Sequence, residues 1–147
     1  MKKCLSCHAA FDASAWICPK CAWQPQVQNG VVQFAPALAE ANDGFEQQSF
    51  ERLFAAESRN FWFRVRNKII VWFMQRHFPQ MKNFMEVGCG TGFVLAGIQR
   101  AFPAAHLCGT EIYTAGLGHA AQRLQNKADF FQMDGTNIPF QGEFDCI

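Results

Sequence analysis

Long hydrophobic runs, an excess of charge of one sign and the third glycine of a dinucleotide fingerprint are all missing from this 147-residue chain. Each absence closes off a class of function. The run Ile69-Ile70-Val71-Trp72-Phe73 falls far short of the roughly 20 apolar residues that a membrane-spanning helix needs. Met1-Lys2-Lys3 opens with positive charge, but no apolar segment follows, so a secretory signal is not written there. The chain reads as soluble and cytoplasmic, with no membrane partner. Thirteen Lys and Arg against twelve Asp and Glu leave a net charge of +1, and the pI is about 7.6. That balance gives no support for a nucleic-acid surface. A dinucleotide loop, G-x-G-x-x-G, would need glycine at position 93, where Phe93 stands. This argues against a nicotinamide-dependent enzyme. Apolar material, by contrast, is plentiful: half the residues are hydrophobic, with sixteen Phe and four Trp, enough to pack a core.

The segment Met85-Glu86-Val87-Gly88-Cys89-Gly90-Thr91-Gly92-Phe93 reads as the end of a buried strand, a tight glycine turn and the start of a helix. Without Cβ atoms at Gly88, Gly90 and Gly92, the backbone can come into contact with a bound cofactor. The helix that follows offers free N–H groups to polar ligands. Val94, Leu95, Ile98 and Phe102 form a helical apolar stripe that Pro103 closes. His106-Leu107-Cys108-Gly109-Thr110-Glu111 is then a short strand tipped by an acid, placed to accept from both hydroxyls of a ribose. A second helix over residues 114–125 turns Leu117, Ala120, Ala121 and Leu124 inward, with Thr114 as its cap. Residues 128–133 read as a third strand, ending beside Asp134, and residues 143–147 as the approach to a fourth.

The order glycine loop, acid-tipped strand, third strand with Asp134 resembles class I S-adenosylmethionine-dependent methyltransferases over residues 81–147. The resemblance implies an α/β, Rossmann-like sheet in which the strands run 3-2-1-4 as far as this chain goes. It implies S-adenosyl-L-methionine as cofactor, with Gly88, Gly90 and Gly92 for close backbone approach. Glu111 would hold the ribose, Asp134 the adenine amino group with Met133 beside the ring, and Glu86 would orient the loop or reach the ammonium end through water. Methyl transfer from a sulfonium is an in-line displacement whose electrophile carries its own activation, so alignment and water exclusion suffice and no catalytic triad is expected. Ile147 falls inside strand four. The chain is therefore expected to be a fragment carrying the cofactor half, binding weakly and not turning over, unless a partner or another copy completes the sheet. The acceptor (small molecule, RNA or protein) and the oligomeric state are not written in these residues.

At the other end, Cys4-x-x-Cys7 and Cys18-x-x-Cys21 are two knuckles ten residues apart. Such pairs can close a tetrahedral four-thiolate site, the preference of structural Zn2+. Two disulfides or a redox dithiol are the competing readings, and paired Cys-x-x-Cys spacing in a cytosolic chain favours metal. His8, beside Cys7, reads as a surface residue. Val27-Gln28-Asn29-Gly30-Val31-Val32-Gln33-Phe34 has the form of a hairpin with an Asn-Gly turn. The arrangement resembles the small zinc ribbons that precede methyltransferase domains in bacterial families. A ribbon with no methylating activity, binding RNA or protein, is the alternative reading.

The domain boundaries expected are 1–36 for the ribbon, 37–80 for a helical linker or cap, and 81–147 for the cofactor-binding part. Residues 37–44 read as a linker and 45–57 as a helix with Phe50, Leu53 and Phe54 apolar. In the next helix, ended by Pro79, Trp62, Val65, Ile69, Trp72 and Phe73 share one face and are expected to pack on the sheet. Its opening, F-W-F-R-x-R-N, resembles a segment upstream of the glycine motif in some bacterial methyltransferases. That implies Arg64 or Arg66 for the methionine carboxylate and Trp62 as a pocket wall. Cys89, Cys108 and Cys146 read as small buried hydrophobes.

Overall fold

The computed structural model describes residues 1–41 and 47–147. In chain order its elements are β1 (Lys2–Lys3), β2 (Ala10–Phe11), β3 (Gln26–Gln28), β4 (Val31–Gln33), α1 (Pro36–Ala41), α2 (Gln47–Glu57) and α3 (Phe61–His77). Then follow β5 (Asn83–Val87), α4 (Phe93–Ala101), β6 (His106–Glu111), α5 (Thr114–Arg123) and β7 (Asp129–Gln132). The main sheet has the order β3-β4-β7-β6-β5. Strands β5, β6 and β7 are parallel, β4 runs parallel to β7, and β3 pairs antiparallel with β4. Beyond β5 the chain returns at Cys146, which bridges Phe84 in parallel and accepts the Met85 amide at 3.0 Å. The order β7-β6-β5 is the expected 3-2-1, and the place of strand four, at the flank opposite the hairpin, is taken by this single bridge.

Side-chain alternation explains why this sheet is covered on both faces. Phe84, Leu107 and partly Phe130 join Met74, Val94, Leu95, Ile98, Phe102 and Leu124 on the helical face. Met85, Cys108 and Phe131 point the other way, toward Phe34, Met133, Trp16, Trp23 and Phe140. The segment between the cysteine knuckles and the sheet is thus the second layer. Asn29 and Gly30, at φ 52° and 79°, make the left-handed turn between β3 and β4. The hairpin, which the sequence groups with the ribbon, pairs with β7 and lengthens the sheet. The fully buried Gln132 locks it there, accepting the Ala35 amide at 3.0 Å and donating to the Ala35 and Ile112 carbonyls at 2.8 and 3.1 Å.

Two expectations need correction. The stretch expected as a linker contains the helix α1, with Pro36 at its first position, where the missing N–H costs nothing; the rest of that linker and the start of the next helix, 42–46, lie outside the described residues. The apolar face expected to bury α3 is instead exposed: Trp62, Val65, Ile69, Trp72 and Phe73 are each 47–63% accessible. The face that packs carries Asn67, Ile70, Val71 and Met74. Asn67 decides the matter, donating to the Phe93 carbonyl at 2.7 Å and lying against Gly97, where any Cβ would come within 2.1 Å of its Oδ1. A smaller difference concerns α5, whose N-cap is Tyr113 with no side-chain cap bond; Thr114 is its first residue. No described helix is long and apolar enough to cross a membrane.

Candidate functional site

The carboxyl ends of β5, β6 and β7 bring most of the expected residues together. Gly88, Gly90 and Gly92 all have positive φ, at 72°, 52° and 72°, a conformation that other residues adopt only at a cost of about 1–2 kcal/mol. Gly92 has a second constraint, since a Cβ there would sit 2.9 Å from that of Ala120 on α5. The loop is tied to β6 by the Cys89 amide, which donates to the Thr110 carbonyl at 2.8 Å. Glu111 spans the gap at the strand tip. One oxygen accepts the Gly90 amide at 3.0 Å, and the other accepts the Ile112 amide at 2.8 Å and the Tyr113 amide at 3.3 Å.

Beneath the loop is a small cavity of about 110 Å³ whose lining includes Glu57, Arg66, Glu86, Gly88, Gly90 and Thr91. Glu86 is one of its lining residues, and its Oε2 is buried with no hydrogen-bond partner among the described residues. Burial pushes this carboxyl up to about 8, with Arg66 and the Leu95 amide pulling it back and Glu57 and Glu111 adding to the rise. A buried acceptor without a partner suits a ligand that brings a donor or a cation. Arg66 lines this cavity, whereas Arg64 lines a separate groove between α3 and α4 with Lys68, Trp72 and Arg100. Trp62 is 60% exposed and lines neither.

Asp134 begins the loop after β7. Its carboxylate accepts the Thr136 amide and hydroxyl at 2.8 Å, which holds it below the ordinary carboxylate range. Met133 is 2% exposed and packs with Phe34, Met85 and Cys108, so its side chain belongs to the core, and its amide donates to the Glu111 carbonyl at 3.1 Å. Burial raises the thiols of Cys89 and Cys108 well above the ordinary value, which leaves them inert as nucleophiles.

Glu57 is the residue that sequence reasoning missed. It comes from α2, is 5% exposed, and accepts the Thr91 hydroxyl and the Arg123 guanidinium, the latter at 2.7 Å. Arg123 also donates to the Phe54 carbonyl at 3.2 Å and lies over the rings of Phe54 and Phe93. One buried carboxylate thus joins α2, the glycine loop and α5. A lone Glu at the end of an amphipathic helix carries no signal of this; only Thr91, a polar residue inside an otherwise glycine-rich turn, hints at a partner.

The second cluster is Cys4, Cys7, Cys18 and Cys21, whose sulfurs all lie within 4.8 Å of one another. Cys4 and Cys21 are 3.6 Å apart, as are Cys7 and Cys18. A disulfide would need about 2.05 Å. Four thiolates at about 2.3 Å from a tetrahedral zinc stand roughly 3.8 Å from each other, so the set fits that ion. The Cys7 amide points at the Cys4 sulfur at 3.5 Å, a donor that steadies a thiolate. His8 is exposed and outside the cluster.

Residues 84–147 match the family model described as "Methyltransferase domain". The malonyl-[acyl-carrier protein] O-methyltransferase of Magnetococcus marinus is 29% identical over 72 residues, covering 47% of this chain and 27% of that protein. Among solved structures, the N-methyltransferase NodS of Bradyrhizobium japonicum, in complex with S-adenosyl-L-homocysteine, is similar over 67% of this chain and 53% of its own, with 20% identity and a TM-score of 0.55. CalS10 of Micromonospora echinaspora, an amino pentose methyltransferase solved with its S-adenosyl cofactor, is similar over 72% of this chain and 44% of its own, with 23% identity and a TM-score of 0.53. The chain spans about a quarter of that curated relative and about half of these solved ones.

Proposed function

We propose, from the premise that residues 84–147 belong to a class I S-adenosylmethionine-dependent methyltransferase domain, that this chain carries the cofactor-binding half of an enzyme that methylates an acceptor still to be identified. The observation that carries the reading is the pairing of Glu111 with Gly90: an acid at the tip of the second strand is held against a positive-φ glycine loop at the tip of the first. That is the juxtaposition a ribose needs, with its hydroxyls on the carboxylate and the rest of the nucleoside against bare backbone.

S-adenosylmethionine supplies a methyl group already activated by the sulfonium charge. The chain's own residues bind and orient. Glu86 and Arg66, lining one cavity, would receive the ammonium and carboxylate of the amino-acid end; Asp134 would receive the adenine amino group, and the backbone beside it would read the ring edge. Arg66 rather than Arg64 is the candidate for the carboxylate because of the two it is Arg66 that lines the cavity beneath the glycine loop. The four cysteines would hold Zn2+ as a structural ion, closing the coordination sphere with protein sulfur and leaving no open position for chemistry.

Calorimetric titration of S-adenosylhomocysteine into the zinc-loaded chain tests the proposal. Saturable binding is expected, weakened at least about tenfold by Glu111→Ala, since two hydroxyl contacts to a carboxylate are at stake. A folded sample that takes up no ligand would overturn it. Metal analysis of freshly purified protein is expected to give one zinc per chain.

A further inference from the structure

Parallel strands are normally joined by a crossover that lays a helix on the sheet. The connections β5 to β6 and β6 to β7 do so, placing α4 and α5 on one face. The connection from β7 to the Cys146 bridge does not: residues 133–145 contain no helix. The face that such a helix would cover is covered by the cysteine-bearing segment. Trp16 sets its ring edge-to-face against Phe34, Phe140 and Phe131, with centroids at 4.6, 5.2 and 6.0 Å. The same Trp16, with Trp23, packs on Cys4, Phe11 and Cys18. One indole therefore touches the metal-ligand core on one side and the sheet and crossover on the other.

The crossover is also sewn to β1. Lys2 bridges Phe140 antiparallel, the Lys3 amide donates to the Pro139 carbonyl at 2.8 Å, and the Gln141 amide donates to the Met1 carbonyl at 2.9 Å. Lys2 in turn donates to the Ala13 and Ser14 carbonyls and lies over the Trp16 ring, which fixes the turn that carries the indole. Strand β1 leads straight into Cys4, which is fully buried. The stitched crossover begins at Asp134.

We propose that the cysteine knuckle is a positioning element of the cofactor site: metal at Cys4, Cys7, Cys18 and Cys21 and an S-adenosyl ligand at the Asp134 loop are coupled through β1, Trp16 and residues 139–141. The proposal rests on the reading of both sites given above. A metal that pins Cys4 and Cys18 orders β1 and Trp16; these order the crossover, and the crossover presents Asp134 and the backbone beside it. Coupling of this kind is reciprocal, so the nucleoside tightens metal binding by the factor by which metal tightens nucleoside binding.

The test uses the full chain loaded with zinc. Zinc release to a chromogenic chelator is followed with and without saturating S-adenosylhomocysteine, and the affinity for that ligand is measured by calorimetry. The expected result is zinc affinity raised about fivefold or more by the ligand. Trp16→Ala, still zinc-loaded, is expected to lose that linkage and to bind the ligand weaker by a similar factor, and Trp16→Phe to restore both. Where Trp16→Ala fails to fold, Phe140→Leu serves, and the chelator experiment on the parent chain needs no variant. Zinc and ligand binding that are each intact but indifferent to one another would overturn the coupling alone. Failure of either to bind at all would instead overturn the site reading on which it stands, and the coupling with it.

Discussion

Glu86 holds its carboxylate where water hydrates it poorly, and the consequence can be measured. Its folded value is raised to about 8 by burial, while an unfolded chain ionises it near the ordinary value of about 4.3. Between those two pH values the folded form keeps a proton that the unfolded form releases, so stability is fully present below the lower value and declines as pH rises toward 8. Glu86→Gln keeps the size and removes the charge. It is expected to be more stable than the parent above pH 8, by a few kcal/mol, and little different at pH 4. Urea unfolding at the two pH values checks this, and equal effects at both would mean that the carboxylate is hydrated in the fold. A ligand bringing an ammonium group reverses the balance by pairing the ionised form. The glycine loop and Glu111 were legible from the turn chemistry and the spacing, and Glu86 from the family resemblance; the fold brings the three to one end of the sheet. Glu57 was not, since its partners Thr91 and Arg123 lie 34 and 66 residues away.

At the scale of elements, α3 shows how a helix with two apolar stripes leaves its burial undecided. One stripe runs through Ile70, Val71 and Met74, the other through Trp62, Val65, Ile69, Trp72 and Phe73; both repeat at helical spacing. The larger aromatic stripe is the one exposed. The choice is made by the fit of α3 to α4, where Gly97 admits the Asn67 side chain and the Phe93 carbonyl receives its amide. Gly97→Ala is expected to cost about 1–3 kcal/mol, because the Cβ must displace Asn67 from a packed interface. Asn67→Ala in the same chain should recover part of the loss, since the two positions touch and their effects do not add. Thermal or urea unfolding of the single and double variants gives the answer, and a neutral Gly97→Ala would place the α3–α4 contact elsewhere. The strand β6 and the helix α4 were readable to within a residue or so, their boundaries being set by Pro103 and the acid at 111.

Over the whole molecule, the sheet is sandwiched between helices on one side and the cysteine segment on the other, so the two halves share one fate. A segment of some 35 residues has too little core to fold alone and needs a staple. Zinc in a four-thiolate site supplies about 10–16 kcal/mol at neutral pH. If the four cysteines hold zinc as proposed, its removal by a strong chelator is expected to uncover Met85, Phe131 and Phe140 as well as the ribbon. Tryptophan fluorescence and far-ultraviolet circular dichroism should then report one shared loss of structure at a lower temperature. Helices that survive untouched while the fluorescence changes would show the layers to be independent. The sequence by itself showed which residues would gather at each end: thiol pairs at knuckle spacing and a glycine turn with an acid nineteen residues beyond Gly92 are local patterns, and the fold brings each set together. It also foretold that β5, β6 and β7 run parallel, because β5 and β6 are each followed by a helix that crosses back, while their order came from the family resemblance. Only the tertiary structure decided that the hairpin extends the sheet beside β7, that the ribbon replaces the helical layer on the second face, and which side of α3 is buried. Those choices depend on shape and on hydrogen bonds between residues far apart in the chain, such as Gln132 with Ala35 and Asn67 with Phe93, and no periodicity in the sequence encodes them.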